Sequence, residues 1–96
     1  MERIQRIFRR PARDLIPVTL YTRPGCHLCE DARALLERIA GPGELVVEEV
    51  DITTNPMLLR AYDLTIPVLR IGETVELSAP IREDELRRAL SEARRS

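Results

Sequence analysis

The chain has 96 residues, of which 44% are hydrophobic and 32% are charged, and its formal net charge is −1. This length and composition predict one small domain and exclude a chain of several domains. The near-neutral charge does not favour nucleic-acid binding. No apolar run is long enough to span a bilayer and no signal-peptide core follows the N-terminus, so we expect a cytoplasmic protein that does not bind membranes. Two cysteines are too few for a secreted scaffold held by disulfides.

The N-terminal residues differ in charge from the rest of the chain. Residues 1–16 carry +3, whereas residues 17–96 carry −4. Ile4, Ile7 and Phe8 form a short apolar stripe that ends at Pro11. We interpret residues 1–16 as a basic helical segment that packs on the domain formed by residues 17–96. The alternative is a docking arm for an acidic partner or a membrane surface.

The first half of the domain is predicted to be a strand, a helix and a second strand. Residues 17–22 are rich in β-branched and aromatic residues and predict a strand, which Pro24-Gly25 ends in a turn. Residues 26–40 predict a helix that stops at Gly41-Pro42-Gly43, and residues 44–51 predict the second strand. Such a unit implies parallel pairing of its strands. The apolar face of the helix is predicted to consist of Leu28, Ala32, Leu35, Leu36 and Ile39.

The second half is predicted to contain a short helix, a hairpin and a final helix. Thr54-Asn55-Pro56 is typical of a helix start and predicts a helix over 56–62, with Leu58, Leu59 and Tyr62 as its core contacts. A hairpin over 65–77 turns at Gly72-Glu73. The last helix is predicted over 82–95, with acidic residues in its first turn and arginines at its end, as the helix dipole favours.

The two cysteines lie where the first strand gives way to the first helix. Backbone N–H groups without intrahelical partners stabilise a thiolate at such a position, where cysteines titrate at about 3.5–7.5 instead of about 8.5. Cys26, at the helix entrance, is therefore the candidate nucleophile, and Cys29, one turn inside, should be shielded. Residues three apart on a helix lie about 5–6 Å from each other, which permits a disulfide.

Two alternatives to a redox pair remain at this stage. A structural zinc site needs about four ligands, and only His27 is left to join the cysteines within one chain, so a second chain would have to complete it. The cysteines could also be inert. The strand–turn–helix context favours the redox interpretation.

The segment Tyr21-Thr22-Arg23-Pro24-Gly25-Cys26-His27-Leu28-Cys29 resembles the active-site segment of glutaredoxins and their short relatives in the thioredoxin superfamily. The resemblance extends from about Pro17 to the end of the chain. It implies an α/β, thioredoxin-like fold of the glutaredoxin type. In that fold a four-stranded mixed sheet is flanked by three helices, here with the short N-terminal helical segment added.

The resemblance also implies which residues contact the substrate. Thr65-Ile66-Pro67 matches the superfamily's Thr-x-Pro, which implies a cis Ile66–Pro67 bond beside the cysteines and a backbone at Ile66 that pairs with an extended substrate. Arg23 matches a basic position that contacts glutathione. His27 follows the nucleophile, and its protonated form would stabilise the thiolate; the alternative is an exposed helix residue without a role.

The chain departs from glutaredoxins at two places. Their usual Cys-Pro-Tyr-Cys is replaced by Cys26-His27-Leu28-Cys29. Their glycine pair and aspartate, which bind glutathione after the hairpin, are replaced by Leu77-Ser78-Ala79-Pro80-Ile81. Glu83 or Asp84 would be the substitute for the aspartate. These departures concern glutathione recognition and leave the dithiol chemistry unaffected.

Together, these observations predict a monomeric thiol–disulfide oxidoreductase that acts in electron transfer and redox homeostasis. It would reduce protein or glutathione mixed disulfides through Cys26 and Cys29. We expect no metal and no permanently bound cofactor, with glutathione or another thiol reductant as the cosubstrate. The alternatives are a binding or redox-sensing module without turnover, and a carrier of a glutathione-linked iron–sulfur cluster.

Overall fold

The computed structural model describes residues 15–95, so the predicted N-terminal segment lies outside the described residues except for Leu15 and Ile16. The described residues contain four strands, three α-helices and one turn of 3₁₀ helix. In chain order they are β1 (Ile16–Thr22), α1 (His27–Ile39), β2 (Leu45–Asp51), the 3₁₀ turn (Ile52–Thr54), α2 (Pro56–Tyr62), β3 (Val68–Ile71), β4 (Val75–Ser78) and α3 (Glu83–Arg95). The predicted element order is confirmed, and only the 3₁₀ turn was not expected. Within this part of the chain, no helix is long and apolar enough to cross a membrane.

The helices begin and end where the local sequence provides caps. The side chain of Cys26 caps α1, and the Asn55 Oδ1 atom caps α2 by accepting hydrogen bonds from the N–H groups of Met57 (2.8 Å) and Leu58 (3.4 Å). Pro56 then occupies the start of α2, where its missing N–H costs no intrahelical bond.

The sheet has the strand order β2-β1-β3-β4. Strand β1 pairs with β2 in parallel and with β3 antiparallel, so that Val18 lies between Val47 and Ile71. Strand β4 returns antiparallel beside β3, which makes β2 and β4 the two edges. This four-stranded mixed sheet with three helices confirms the predicted thioredoxin-like fold class.

The hydrophobic core lies between one face of the sheet and helices α1 and α3. Its buried members come from β1, α1, β3 and α3: Ile16, Val18, Leu20, Ala32, Leu36, Leu69, Ile71, Leu86, Ala89 and Leu90. The opposite face is covered in part by α2, whose Tyr62 ring stacks on Tyr21 with centroids 4.5 Å apart. Burial raises the pKa of the Tyr62 phenol, and the charge of Glu76 adds to the effect. No residue of α2 is fully buried, and its predicted contacts are half-buried.

The prediction for the apolar face of α1 was wrong at Leu28. Ala32 and Leu36 are buried, but Leu28 is 60% exposed. Leu28 belongs to the first turn of α1, where the helix faces the loops that contain Pro67 and Ala79 instead of the strands of the sheet. Helical periodicity places Leu28 on the apolar side of the helix, but it cannot show that the core ends before this turn.

Candidate active site

Cys26 and Cys29 form a disulfide at the start of α1, and their Cα atoms are 5.2 Å apart. Cys26 is the N-cap residue with an extended backbone, and its Sγ atom accepts a hydrogen bond from the Cys29 N–H at 3.1 Å. Cys29 is 1% exposed, whereas Cys26 is partly exposed. Cys26 is therefore accessible from solvent while Cys29 is shielded, which is the arrangement that the sequence predicts.

The turn before Cys26 depends on a glycine. Gly25 has φ +78°, in the left-handed region that residues with a Cβ atom rarely adopt. This backbone conformation turns the chain from the end of β1 into the first turn of α1. It thereby directs the free N–H groups of the helix toward the sulfur of Cys26.

The loop before β3 forms a second wall of the site. The Ile66–Pro67 peptide bond is cis, as the resemblance implies, and Pro67 is buried. Pro67 lines the same groove as Leu28, the residue that precedes Cys29. The expectation that the Ile66 backbone pairs with substrate stays a prediction, and the Ile66 N–H already donates to the Tyr62 carbonyl at 3.1 Å. Of the two backbone groups of Ile66, the carbonyl is the one that such pairing would use.

A hydrogen bond connects the loop after β4 to the loop before β3. The Ala79 N–H donates to the Thr65 carbonyl at 3.2 Å, so the backbone of the predicted substrate-contact residue Thr65 is held against the hairpin. The Ala79–Pro80 bond is a second cis peptide, which the sequence did not predict. The two loops together close one side of the groove beside Leu28.

Arg23, the predicted glutathione contact, is already paired with a carboxylate. Its Nη1 atom lies 2.5 Å from the Asp63 Oδ1 atom in the loop that follows α2. Sequence reasoning missed Asp63, because it is 40 residues away along the chain. Arg23 therefore remains beside the site, and the negative charge of Asp63 offsets part of its effect on a ligand.

His27 points into solvent. Its side chain is 94% exposed, and its Nδ1 atom lies 4.0 Å from the Glu30 Oε1 atom one helical turn further on. The position agrees with the alternative that treated His27 as an exposed helix residue. Its predicted effect on the Cys26 thiolate stays a prediction.

A groove of about 530 Å³ runs from Leu28 along α1. Most of its lining side chains are apolar, and Asp31 and Arg38 are the charged members. The groove is lined by Leu28, Asp31, Ala32, Leu35, Arg38, Pro67, Ala79, Pro80 and Ile81. The Arg38 guanidinium donates to the Glu83 carboxylate at 3.2 Å, at the N-terminus of α3. The groove therefore extends from Leu28, the chain neighbour of Cys29, past Pro67 to Ile81.

Three carboxyl groups of the described residues have a lowered pKa. Hydrogen bonds from Thr53 lower the pKa of Asp51, and the nearby charge of Arg23 adds to the effect. A hydrogen bond from Arg94 and another from the Gly41 N–H lower the pKa of Glu44, and hydrogen bonds from Arg87 and Arg38 lower that of Glu83. Residues 15–95 contain no buried charged side chain and no cluster of three or more His, Cys, Asp or Glu residues that would hold a metal ion. The two sulfurs are the groups at the site that can take part in thiol–disulfide exchange.

Comparison with known families supports this view of the site. Residues 17–91 match the family model described as "Glutaredoxin-like domain (DUF836)". The chain belongs to this glutaredoxin-like family. The resemblance found in the sequence is thereby confirmed, and the match covers every element from β1 into α3. No curated protein matches the chain.

Two solved structures share the fold of this glutaredoxin-like domain. A structural genomics target protein from X. campestris is 35% identical, with a TM-score of 0.66 over 78% of this chain and 96% of that one. A thioredoxin variant from Halobacterium salinarum NRC-1 is 19% identical, with a TM-score of 0.62 over 81% of this chain and 74% of that one. The second similarity shows the fold alone. The glutaredoxin-like domain is thus a thioredoxin-fold protein with a Cys-x-x-Cys pair at disulfide distance.

Proposed function

We propose that the chain is a thiol–disulfide oxidoreductase that reduces protein or glutathione mixed disulfides. The observation that carries this proposal is the hydrogen bond of the Cys29 N–H to the Cys26 sulfur at the N-terminus of α1. Donors in this position stabilise negative charge on the sulfur, which makes Cys26 the nucleophile and the better leaving group of the pair.

The reaction takes place in two exchanges. The Cys26 thiolate attacks one sulfur of the substrate disulfide, forms a mixed disulfide and expels the other sulfur as a thiolate that takes a proton from water. Cys29 then loses its proton and attacks the Cys26 sulfur, which releases the second substrate thiol. The substrate disulfide gains two electrons and two protons, and Cys26–Cys29 becomes a disulfide.

An external dithiol or two molecules of a thiol such as glutathione return the pair to its reduced form by the reverse exchange. This cycle fits a reducing compartment such as the cytoplasm. A monomer is sufficient for it, because both cysteines come from one chain. The cycle needs no metal and no bound cofactor.

The decisive experiment traps the mixed disulfide. In Cys29→Ser, the second exchange is blocked, so a disulfide-containing substrate should remain covalently attached to Cys26 and be released by dithiothreitol. Cys26→Ser is the matched control and should trap much less, because its remaining cysteine is buried. Mass spectrometry of the intact adduct identifies the linkage.

The trapping experiment and two further measurements distinguish the oxidoreductase from the alternatives. A wild-type protein that does not turn over, together with a Cys29→Ser variant that forms no adduct, would indicate a binding or sensing module. An iron–sulfur carrier would show visible absorbance and labile sulfide after anaerobic purification. A redox titration should place the Cys26–Cys29 couple between about −270 and −120 mV, the range of known protein dithiols.

A further inference from the structure

Two large apolar side chains are exposed at the end of the sheet where the cysteines lie. Leu28 is 60% exposed and Leu64 is 95% exposed. Leu64 directly follows Asp63, which binds Arg23 three residues before Cys26, so this leucine belongs to the rim of the site. Apolar side chains grouped around a functional site commonly mark a surface that another molecule covers.

The groove next to Leu28 offers a complementary apolar cavity. Ala32 and Leu35 of α1 form one side, while Pro67, Ala79 and Ile81 form the other. Its volume of about 530 Å³ is sufficient for one or two apolar side chains of a bound peptide. The groove begins next to the redox pair, because its lining residue Leu28 is the chain neighbour of Cys29, although neither cysteine lines it.

The charges around the groove do not favour the binding of glutathione. Glutathione carries two carboxylates and one ammonium group, so its recognition requires cations that are free to bind the carboxylates. Arg23 is paired with Asp63, and Arg38, the arginine in the groove, is paired with Glu83. Asp31 adds a negative charge to the lining.

The N-terminus of α3 does not supply the missing positive charge. Its first turn consists of Glu83, Asp84 and Glu85, whose carboxylates offset the positive end of the helix dipole. Arg82 precedes these residues, but it is exposed and does not line the groove. A ligand with several carboxylates is therefore poorly matched to this side of the site.

We propose that the groove binds an apolar side chain of an extended protein segment that carries the reacting disulfide, with Leu28 and Leu64 as specificity contacts. The inference rests on the proposed oxidoreductase function and makes a protein the preferred substrate over glutathione. The Cys26 thiolate attacks the peptide's disulfide while the neighbouring apolar side chain is buried against Leu28 and Pro67. The exposed leucines are thereby removed from water only in the complex.

The test compares three disulfide substrates with the full-length reduced protein. Two are peptides disulfide-linked to the same small thiol, identical except that a leucine or a serine stands two residues from the cysteine; the third is glutathione disulfide. Second-order rate constants are measured by acid quench and chromatography. We expect the leucine peptide to react about tenfold faster than the serine peptide. Partial burial of the leucine side chain should stabilise the reacting complex by about 1.4 kcal/mol, which corresponds to that factor.

Leu28→Ser should reduce the rate for the leucine peptide about fivefold and change the rate for glutathione disulfide less than about twofold. Leu64→Ser should act in the same direction. Both side chains are exposed, so neither change should unfold the domain, and a thermal melt checks this. Met57→Ser, which changes an exposed apolar side chain in α2, is the matched control and should leave all three rates unchanged.

The outcomes distinguish failure of the substrate assignment from failure of the oxidoreductase function. Equal rates for both peptides, or faster reduction of glutathione disulfide, would overturn the substrate assignment while the oxidoreductase function stands. Leu28→Ser lowering all three rates by the same factor would also overturn it, because that pattern indicates damage to the thiol chemistry. If the wild-type protein reduces none of the three, the proposed function fails and the substrate assignment fails with it.

Discussion

Arg23 and Asp63 connect the two loops that flank the cysteine pair. The Arg23 Nη1 atom lies 2.5 Å from the Asp63 Oδ1 atom, although the residues are 40 positions apart in the chain. Arg23 belongs to the turn that leads into Cys26, and Asp63 belongs to the loop that leads to Pro67. The ion pair therefore fixes the entrance to the active site and, at the same time, reduces the positive charge that Arg23 presents to Cys26.

Removing the charge of Asp63 should make Cys26 more reactive. In Asp63→Asn, less of the charge of Arg23 is offset, since only Asp51 still interacts with it. An electrostatic gain of about 0.5 kcal/mol for the thiolate corresponds to roughly a twofold higher rate of alkylation at pH 7. The measurement is the alkylation rate of the reduced protein with iodoacetamide as a function of pH.

The control for this prediction is a double-mutant cycle with Arg23→Gln. Arg23→Gln alone should lower the alkylation rate, and in the Arg23→Gln background Asp63→Asn should have a much smaller effect. An identical response to Asp63→Asn in both backgrounds would show that Asp63 acts without Arg23.

Gly25→Ala should destabilise the protein. Its φ of +78° costs a residue with a Cβ atom about 1–2 kcal/mol, and no atom lies close enough to a new Cβ to add a clash. We expect the free energy of unfolding in urea to fall by about 1 kcal/mol. Gly41→Ala is the control, since its Cβ would make an ordinary contact of 3.8 Å with Glu44 Oε1 and its φ is not positive. Equal effects of the two changes would argue against the conformational explanation.

Asn55→Ala should weaken α2. The substitution removes the acceptor for the N–H groups of Met57 and Leu58, and loss of an N-cap costs about 1 kcal/mol. Because no residue of α2 is fully buried, little packing compensates for the lost cap. Asn55→Asp keeps an acceptor oxygen and should retain most of the stability. Hydrogen exchange of the α2 amides provides the local measurement, and unchanged exchange in Asn55→Ala would contradict the prediction.

The protein should lose stability at acidic pH in part through Glu44. Hydrogen bonds from Arg94 and the Gly41 N–H lower its pKa in the folded state. A carboxyl group with a lowered folded pKa contributes stability above its unfolded pKa of about 4.3, and this contribution is lost as pH falls through the folded value. Glu44→Gln should therefore be less stable at pH 7 than the wild type, and its stability should decline less between pH 5 and pH 3.

Urea denaturation at several pH values measures this effect. Glu73→Gln changes an exposed carboxyl group in the turn between β3 and β4 and should follow the wild-type curve. A Glu44→Gln curve parallel to that of the wild type would show that the hydrogen bonds of Glu44 do not contribute to the pH dependence.

Local signals were sufficient to predict the order of the elements. Gly41-Pro42-Gly43 ends α1, and Asn55-Pro56 starts α2, because each acts within one turn of the chain. The position of Cys26 at a helix start follows from the same local reasoning. Its partner Cys29 is three residues away, so the redox pair was visible in the sequence as well.

Features that depend on distant contacts were not predictable in this way. The pairing of Arg23 with Asp63, and of Arg38 with Glu83, brings together residues 40 and 45 positions apart. The exposure of Leu28 depends on where the core ends, and helical periodicity gives no information about that position. Arg38 and Leu28 line the groove, whereas the Arg23–Asp63 pair lies outside its lining, and none of the three features is contained in a local sequence pattern.

Strand β2 at the edge of the sheet carries adjacent glutamates, Glu48 and Glu49, beside the exposed Val46 and Val47. Arg33 binds the Glu49 carboxylate, so the edge presents a salt bridge next to the charge of Glu48. A second sheet that joined this edge would have to take these charged groups out of water or bring like charges together. The charged edge strand therefore disfavours aggregation through its exposed valines.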